Sequence, residues 1–109
     1  MNVIDAAGNS AICDPAHVTL EITDHSKEKE KVKNLPGTDQ YVTIKNGSPG
    51  LSEVVIKVNG KHKYKVEKLK DDEIRKIDIS SAMKLEGGNK VKLTGKGDIS
   101  DWAEILIHD

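Results

Sequence analysis

Small aliphatic residues alternate with charged ones along most of this chain, and that alternation decides what it can fold into. Residues 52–59 read SEVVIKVN, residues 89–94 NKVKLT and residues 102–108 WAEILIH. A period of two places successive side chains on opposite faces of an extended strand, so each run has one face to bury and one to solvate. The one stretch with a helical look, KEKEKVK, contains a single apolar residue, Val32, and gives a helix nothing to pack. Phe is absent, so the core must be built from Val, Ile and Leu. A sheet with one apolar face must cover it with another layer, and no strong helix is available. The expectation is an all-β sandwich.

In chain order the predicted strands carry these inward residues: Val18, Leu20 and Ile22 in 16–23; Val42 and Ile44 in 40–45; Val54, Ile56 and Val58 in 52–59; Val66 in 62–67. They continue with Ile77 and Ile79 in 73–79, Val91 and Leu93 in 89–94, and Ala103, Ile105 and Ile107 in 102–108. Residues 25–34 read as a solvated edge strand or loop. Leu35-Pro36-Gly37-Thr38 has the Pro and Gly positions of a type II turn. Ile74 and Ile77 are out of phase, which suggests a bulge near Arg75. The Asn59-Gly60 pair suggests a two-residue hairpin, but that register would put lysines in the core. Burial then favours a three-residue bulged turn with Gly60 at positive φ, pairing Ile56 with His62 and Val54 with Tyr64. His62 is thereby expected to pack on the sheet near Ile56.

Residues 77–97 form the corner around which the strands are arranged. After Ile77-Asp78-Ile79, Ser80 or Ser81 can cap one helical turn near residues 80–84. Met83 and Leu85 can fold back onto the core, and Gly87-Gly88 permits a sharp exit. Asp78, Ser80, Ser81 and Asn89 are expected to close the bend through backbone hydrogen bonds.

A chain of 109 residues supports one core. Residues 1–10 read as a flexible lead-in, with Val3-Ile4 able to add an edge pairing, and residues 11–109 as one domain. The net charge is −1, and every basic residue except Arg75 is lysine. A dedicated nucleic-acid binder needs a net basic face, and arginine is the residue of bidentate phosphate recognition, so nucleic acid is not an expected partner. No apolar run approaches the ~20 residues that span a bilayer, so membrane insertion is not expected either. The opening residues lack the basic start and apolar run of a signal peptide. Cys13 stands alone, which excludes an internal disulfide and a cysteine-based zinc site.

Motifs for chemistry are sparse. His25 and His108 each adjoin an aspartate, but neighbours on a strand point apart, so neither pair makes a chelate. Asp71, Asp72 and Glu73 form an acidic group that reads as a solvated loop. If a cation binds, GKGDISD (95–101) offers Asp98 and Asp101 as Ca²⁺ candidates, without the twelve-residue loop of a dedicated site. Ser80 and Ser81 lack a nucleophile elbow and a base. Tyr41 and Trp102 lie out of phase with their apolar neighbours and could serve as a sugar platform. Neither a catalytic residue nor a cofactor is expected.

The run YVTIKNGSPGLSEVVIKVNGKHKYKVEKLKDDEIRKIDIS resembles bacterial immunoglobulin-like modules of the cell-adhesion-related (CARDB-like) type. The run IDISSAMKLEGGNKVKL is similar to a segment of galactose-binding-like sandwich domains in glycoside hydrolases. The matching features are strand ends and turns. The resemblance implies an immunoglobulin-like antiparallel β-sandwich of about seven or eight strands, acting as a non-catalytic accessory, spacer or adhesion module. Such a module belongs to a larger secreted or surface bacterial protein, extracellular or at the cell surface. Its partners would be neighbouring domains of that parent protein, a glycan or a cell-surface protein. The second resemblance implies the alternative, a carbohydrate-binding module attached to a glycan-degrading enzyme.

Overall fold

The computed structural model describes residues 16–86 and 88–108. The expectations for residues 1–10, Cys13 and Gly87 lie outside the described residues. Eight strands form: β1 (Ala16–Glu21), β2 (Glu28–Leu35), β3 (Tyr41–Asn46), β4 (Glu53–Val58), β5 (His62–Val66), β6 (Ile74–Asp78), β7 (Asn89–Lys96) and β8 (Trp102–His108). One 3₁₀ turn, Ser80–Ala82, sits between β6 and β7. Two four-stranded sheets, in the orders β1-β8-β3-β6 and β2-β7-β4-β5, pack face to face. All six strand pairings are antiparallel. The all-β sandwich expected from the alternation is present.

Its strand order is not the immunoglobulin one, in which the first strand neighbours the second. Here β1 lies beside β8, β2 beside β7, β3 beside β6 and β4 beside β5. The pairings are nested, as in one long hairpin rolled up on itself, the arrangement of a jelly roll. A consequence follows for the chain ends. Ala16 pairs with Ile107, so the described chain enters and leaves the sandwich at the same end.

The core lies between the sheets. The predicted inward residues are buried, apart from Ile77, which is half-buried against the cluster. Leu35, Leu51, Ala82 and Met83 complete it. Burial thus follows the alternation strand by strand, as hydrophobic transfer requires. Residues 28–35 do form an edge strand, β2, with lysines on it to discourage further pairing.

Several local expectations need correction. The turn after β2 runs from Pro36 to Asp39, whose N–H donates to the Pro36 carbonyl at 3.1 Å, one residue later than predicted. Gly37 is not at positive φ; a Cβ there would sit 2.2 Å from the Lys84 carbonyl oxygen, so close approach of two loops explains it. The β4–β5 turn has three residues and φ +70° at Gly60, as expected, with Asn59 also at positive φ. Its register is two residues away from the predicted one: Val58 pairs with His62, Ile56 with Tyr64 and Val54 with Val66. Facing parity is kept by any even shift, and the observed one joins two valines. His62 is consequently exposed at the turn rather than packed. No bulge interrupts β6, which pairs regularly with β3 from Asp78 to Ile74; Ile74 simply points outward, 63% exposed. Leu85 does not fold back and is 82% exposed, whereas Met83 does.

Candidate functional site

Tyr41 and Trp102 both project from the outer face of the β1-β8-β3-β6 sheet, as their phase predicted. The structure does not bring them together. Tyr41 pairs with His108, six residues along β8 from Trp102, a separation of about 20 Å at strand rise. Tyr41 is also partly covered by its own neighbours. The Lys76 Nζ lies 4.4 Å from its ring centroid, and the His108 ring stacks at 5.9 Å. His108 in turn shares a hydrogen bond of 2.8 Å with the Thr43 hydroxyl. Trp102 lies over Gly47, where a Cβ would come within 2.3 Å of its indole, and its backbone bonds to Gly47 and Pro49. It is a plug at the rim of the sheet.

The corner is held by its polar residues. One Asp78 carboxylate oxygen accepts from the Ser80 hydroxyl at 2.6 Å and the Ser80 N–H at 2.8 Å. These two bonds, the hydroxyl's first, hold the Asp78 pKa below its ordinary 3.8. Ser80 is therefore the donor to Asp78, not the cap of the helical turn: the N-cap position is Ile79, and no side chain caps the turn. Ser81 is exposed and makes no hydrogen bond among the described residues, so its expected role at the bend is not supported.

Asn89 is the centre of this end. It is fully buried. Its Nδ2 donates to the carbonyls of Lys84 at 2.9 Å and Leu35 at 3.4 Å. Its Oδ1 accepts from the Lys84 N–H at 2.8 Å and the Asn59 amide at 2.9 Å. One side chain thus ties the corner, the end of β2 and the β4–β5 turn together.

The opposite end has a counterpart that the sequence reading did not single out. Asn46, 3% exposed, donates to the carbonyls of Leu51 and Lys70 and accepts from the Leu51 N–H. A Cβ on Gly50 would lie 2.3 Å from its Nδ2, so the loop must close tightly over it. Each buried asparagine adjoins a glycine at a strand end, and that pairing was the available signal.

The cation candidates are spent on their own loops. Asp101 Oδ2 accepts from the Asp98 N–H at 2.7 Å, while Asp98 faces the Lys27 ammonium at 3.4 Å. Asp71 accepts from the Gly50 N–H, and Glu73 from the Lys70 N–H. Glu73 is held below its ordinary carboxylate value by the Lys70 N–H first and Arg75 second. Among the described residues no three His, Cys, Asp or Glu side chains gather where they could hold a metal ion. No helix among them is long and apolar enough to cross a membrane. Comparison with family models, curated proteins and solved structures returned no match.

These bonds fix a pH dependence. Asp78 and Asp24, the latter lowered by the Ser26 hydroxyl and then its N–H, both ionise more readily folded than unfolded. Their contribution is present above the ordinary carboxylate pKa and is lost as pH falls through the lowered folded values. The melting temperature is expected to be flat near neutrality and to decline below about pH 4, with a shallower decline in Asp78→Asn. Both groups are exposed, so the slope is small. A melting temperature that rises on acidification would contradict it.

Proposed function

We propose that this domain is a non-catalytic accessory or adhesion module of a larger secreted or cell-surface protein. One observation carries the reading: the polar side chains at the strand ends are committed to closing their own loops. Asp78, Asn89, Asn46, Asp71 and Asp101 all bond to backbone at the ends of the sandwich. Groups held this way position chain rather than substrate. Between a spacer and a pendant module, the pairing of Ala16 with Ile107 favours the pendant one. A spacer in a row needs entry and exit at opposite ends, whereas here the two strands lie side by side.

The alternative, a carbohydrate-binding module attached to a glycan-degrading enzyme, with Tyr41 and Trp102 as its platform, is favoured only by those two residues sharing a face. The test is a thermal-shift screen of the wild type, Tyr41→Ala and Trp102→Ala against soluble neutral glycans and Ca²⁺, with an assay for new reducing ends. The expected result is no ligand-dependent rise and no cleavage. A rise that vanishes in either aromatic variant would install the sugar reading. Cleavage would overturn the non-catalytic one.

A further inference from the structure

The outer face of the second sheet carries an unusual distribution of charge. In the register, Lys92 on β7 lies directly across from Lys57 on β4, and Lys57 directly across from Lys63 on β5. Lys90 follows on the same face of β7 and, with Lys57, Lys92 and Gly60, borders a shallow depression. Like charges directly opposite on neighbouring strands oppose folding. Lysine on an edge strand is explained by protection against pairing, and that covers Lys63 on β5. It does not cover Lys57 and Lys92, because β4 and β7 are the two interior strands of this sheet. Lys92 has one carboxylate, Glu30 at 3.6 Å. Lys57, Lys63 and Lys90 form no ion pair among the described residues.

We infer that the Lys92–Lys57–Lys63 row, with Lys90, is a binding site for a linear anionic polysaccharide carrying a carboxylate or sulfate on each repeating unit. The proposal deepens the adhesion-module reading and rests on it. Three features select this partner. The strands that carry the three lysines are stepped across the sheet at about 4.8 Å, so their cationic side chains leave the face in one regular row, which an anion repeated along a polymer can follow. The other end of the same face presents Glu28 and Glu53, both directly across from Lys96. A plane of anionic lipid would have to press against those acids, whereas a chain lying along the lysine row avoids them. Nucleic acid is disfavoured by the residue types. The outward positions of these four strands contain no aromatic side chain for a base to stack on and no arginine to grip a phosphate with two bonds.

The experiment uses the full 109-residue chain. Retention is measured on immobilised polygalacturonate and dextran sulfate, with neutral dextran as control, across a salt series. The wild type is expected to bind the charged polymers only, with affinity falling steeply as salt rises through about 50–200 mM. The combined Lys57→Gln, Lys63→Gln and Lys92→Gln variant should lose about tenfold or more in affinity. Its melting temperature should stay level or rise, because the like-charge row is relieved. Lys45→Gln with Lys76→Gln, on the other sheet, should bind as the wild type does.

Equal retention of wild type and row variant, or an equal loss in the other-sheet variant, would overturn the site. Tighter binding of single-stranded DNA or of anionic lipid vesicles than of either polymer would overturn the choice of partner. Failure to bind without any polymer cleavage removes this inference and leaves the module reading standing; new reducing ends would remove the non-catalytic reading instead.

Discussion

Asn89→Ala is expected to cost about 2–4 kcal/mol of stability, several times what an exposed polar truncation costs. The side chain is fully buried and serves four partners at once, on Lys84, Leu35 and Asn59. Alanine removes both the donor and the acceptor. It strands the Lys84 N–H, the Lys84 and Leu35 carbonyls and the Asn59 amide, and each unsatisfied buried group costs about 1–3 kcal/mol before relaxation. Asn59 is itself bonded to the Lys90 N–H at 2.9 Å, so the loss propagates to the β4–β5 turn. Asn89→Asp would not repair it, because a carboxylate cannot donate to the two carbonyls. The contrast is Ser80→Ala, where the lost partner is an exposed carboxylate and the expected cost is about 1 kcal/mol or less. Urea unfolding of the three variants with an unchanged slope measures this. A loss in Asn89→Ala no greater than in Ser80→Ala would show that the buried network carries no weight.

The strands were legible because burial acts locally on a period of two. Val54, Ile56 and Val58 lie on one face of β4 whichever strand lies beside it. What lies beside it was not legible. The same alternation serves an immunoglobulin order and a nested one, since both bury one face of each strand. Register was legible only in parity: shifting the β4–β5 pairing by two residues keeps every valine inside, so burial alone cannot choose between the two. Asn89 could be read as a bend-closing residue from the adjacent glycines, but Asn46 reads as an ordinary loop residue after the strand 40–45 until Leu51 and Lys70 are seen to converge on it. The lysine row was illegible for a stronger reason. Lys57 and Lys92 are 35 positions apart, by their numbering in the chain, and meet only because β4 pairs with β7. In sequence each is an ordinary outward residue.

Ile56→Ala and Val55→Ala, neighbours on β4, are expected to differ widely in stability. Ile56 is completely buried, between Tyr64 on β5 and Leu93 on β7, and faces the opposite sheet. Truncation removes three carbons from a close-packed site and leaves a cavity that two sheets locked by hydrogen bonds cannot close. The expected cost is about 2–5 kcal/mol. At roughly 4–8 °C per kcal/mol for a domain of this size, the melting temperature should fall by at least about 8 °C. Val55 points the other way, half-exposed beside Thr94 and Lys65. Its truncation removes some strand preference and little burial, so the cost should stay below about 1 kcal/mol. Because the two side chains leave the same stretch of backbone, any general weakening of β4 affects both variants alike. The difference between them therefore isolates burial. Equal losses would mean that β4 does not separate an inner from an outer face, and the sandwich as described would be wrong.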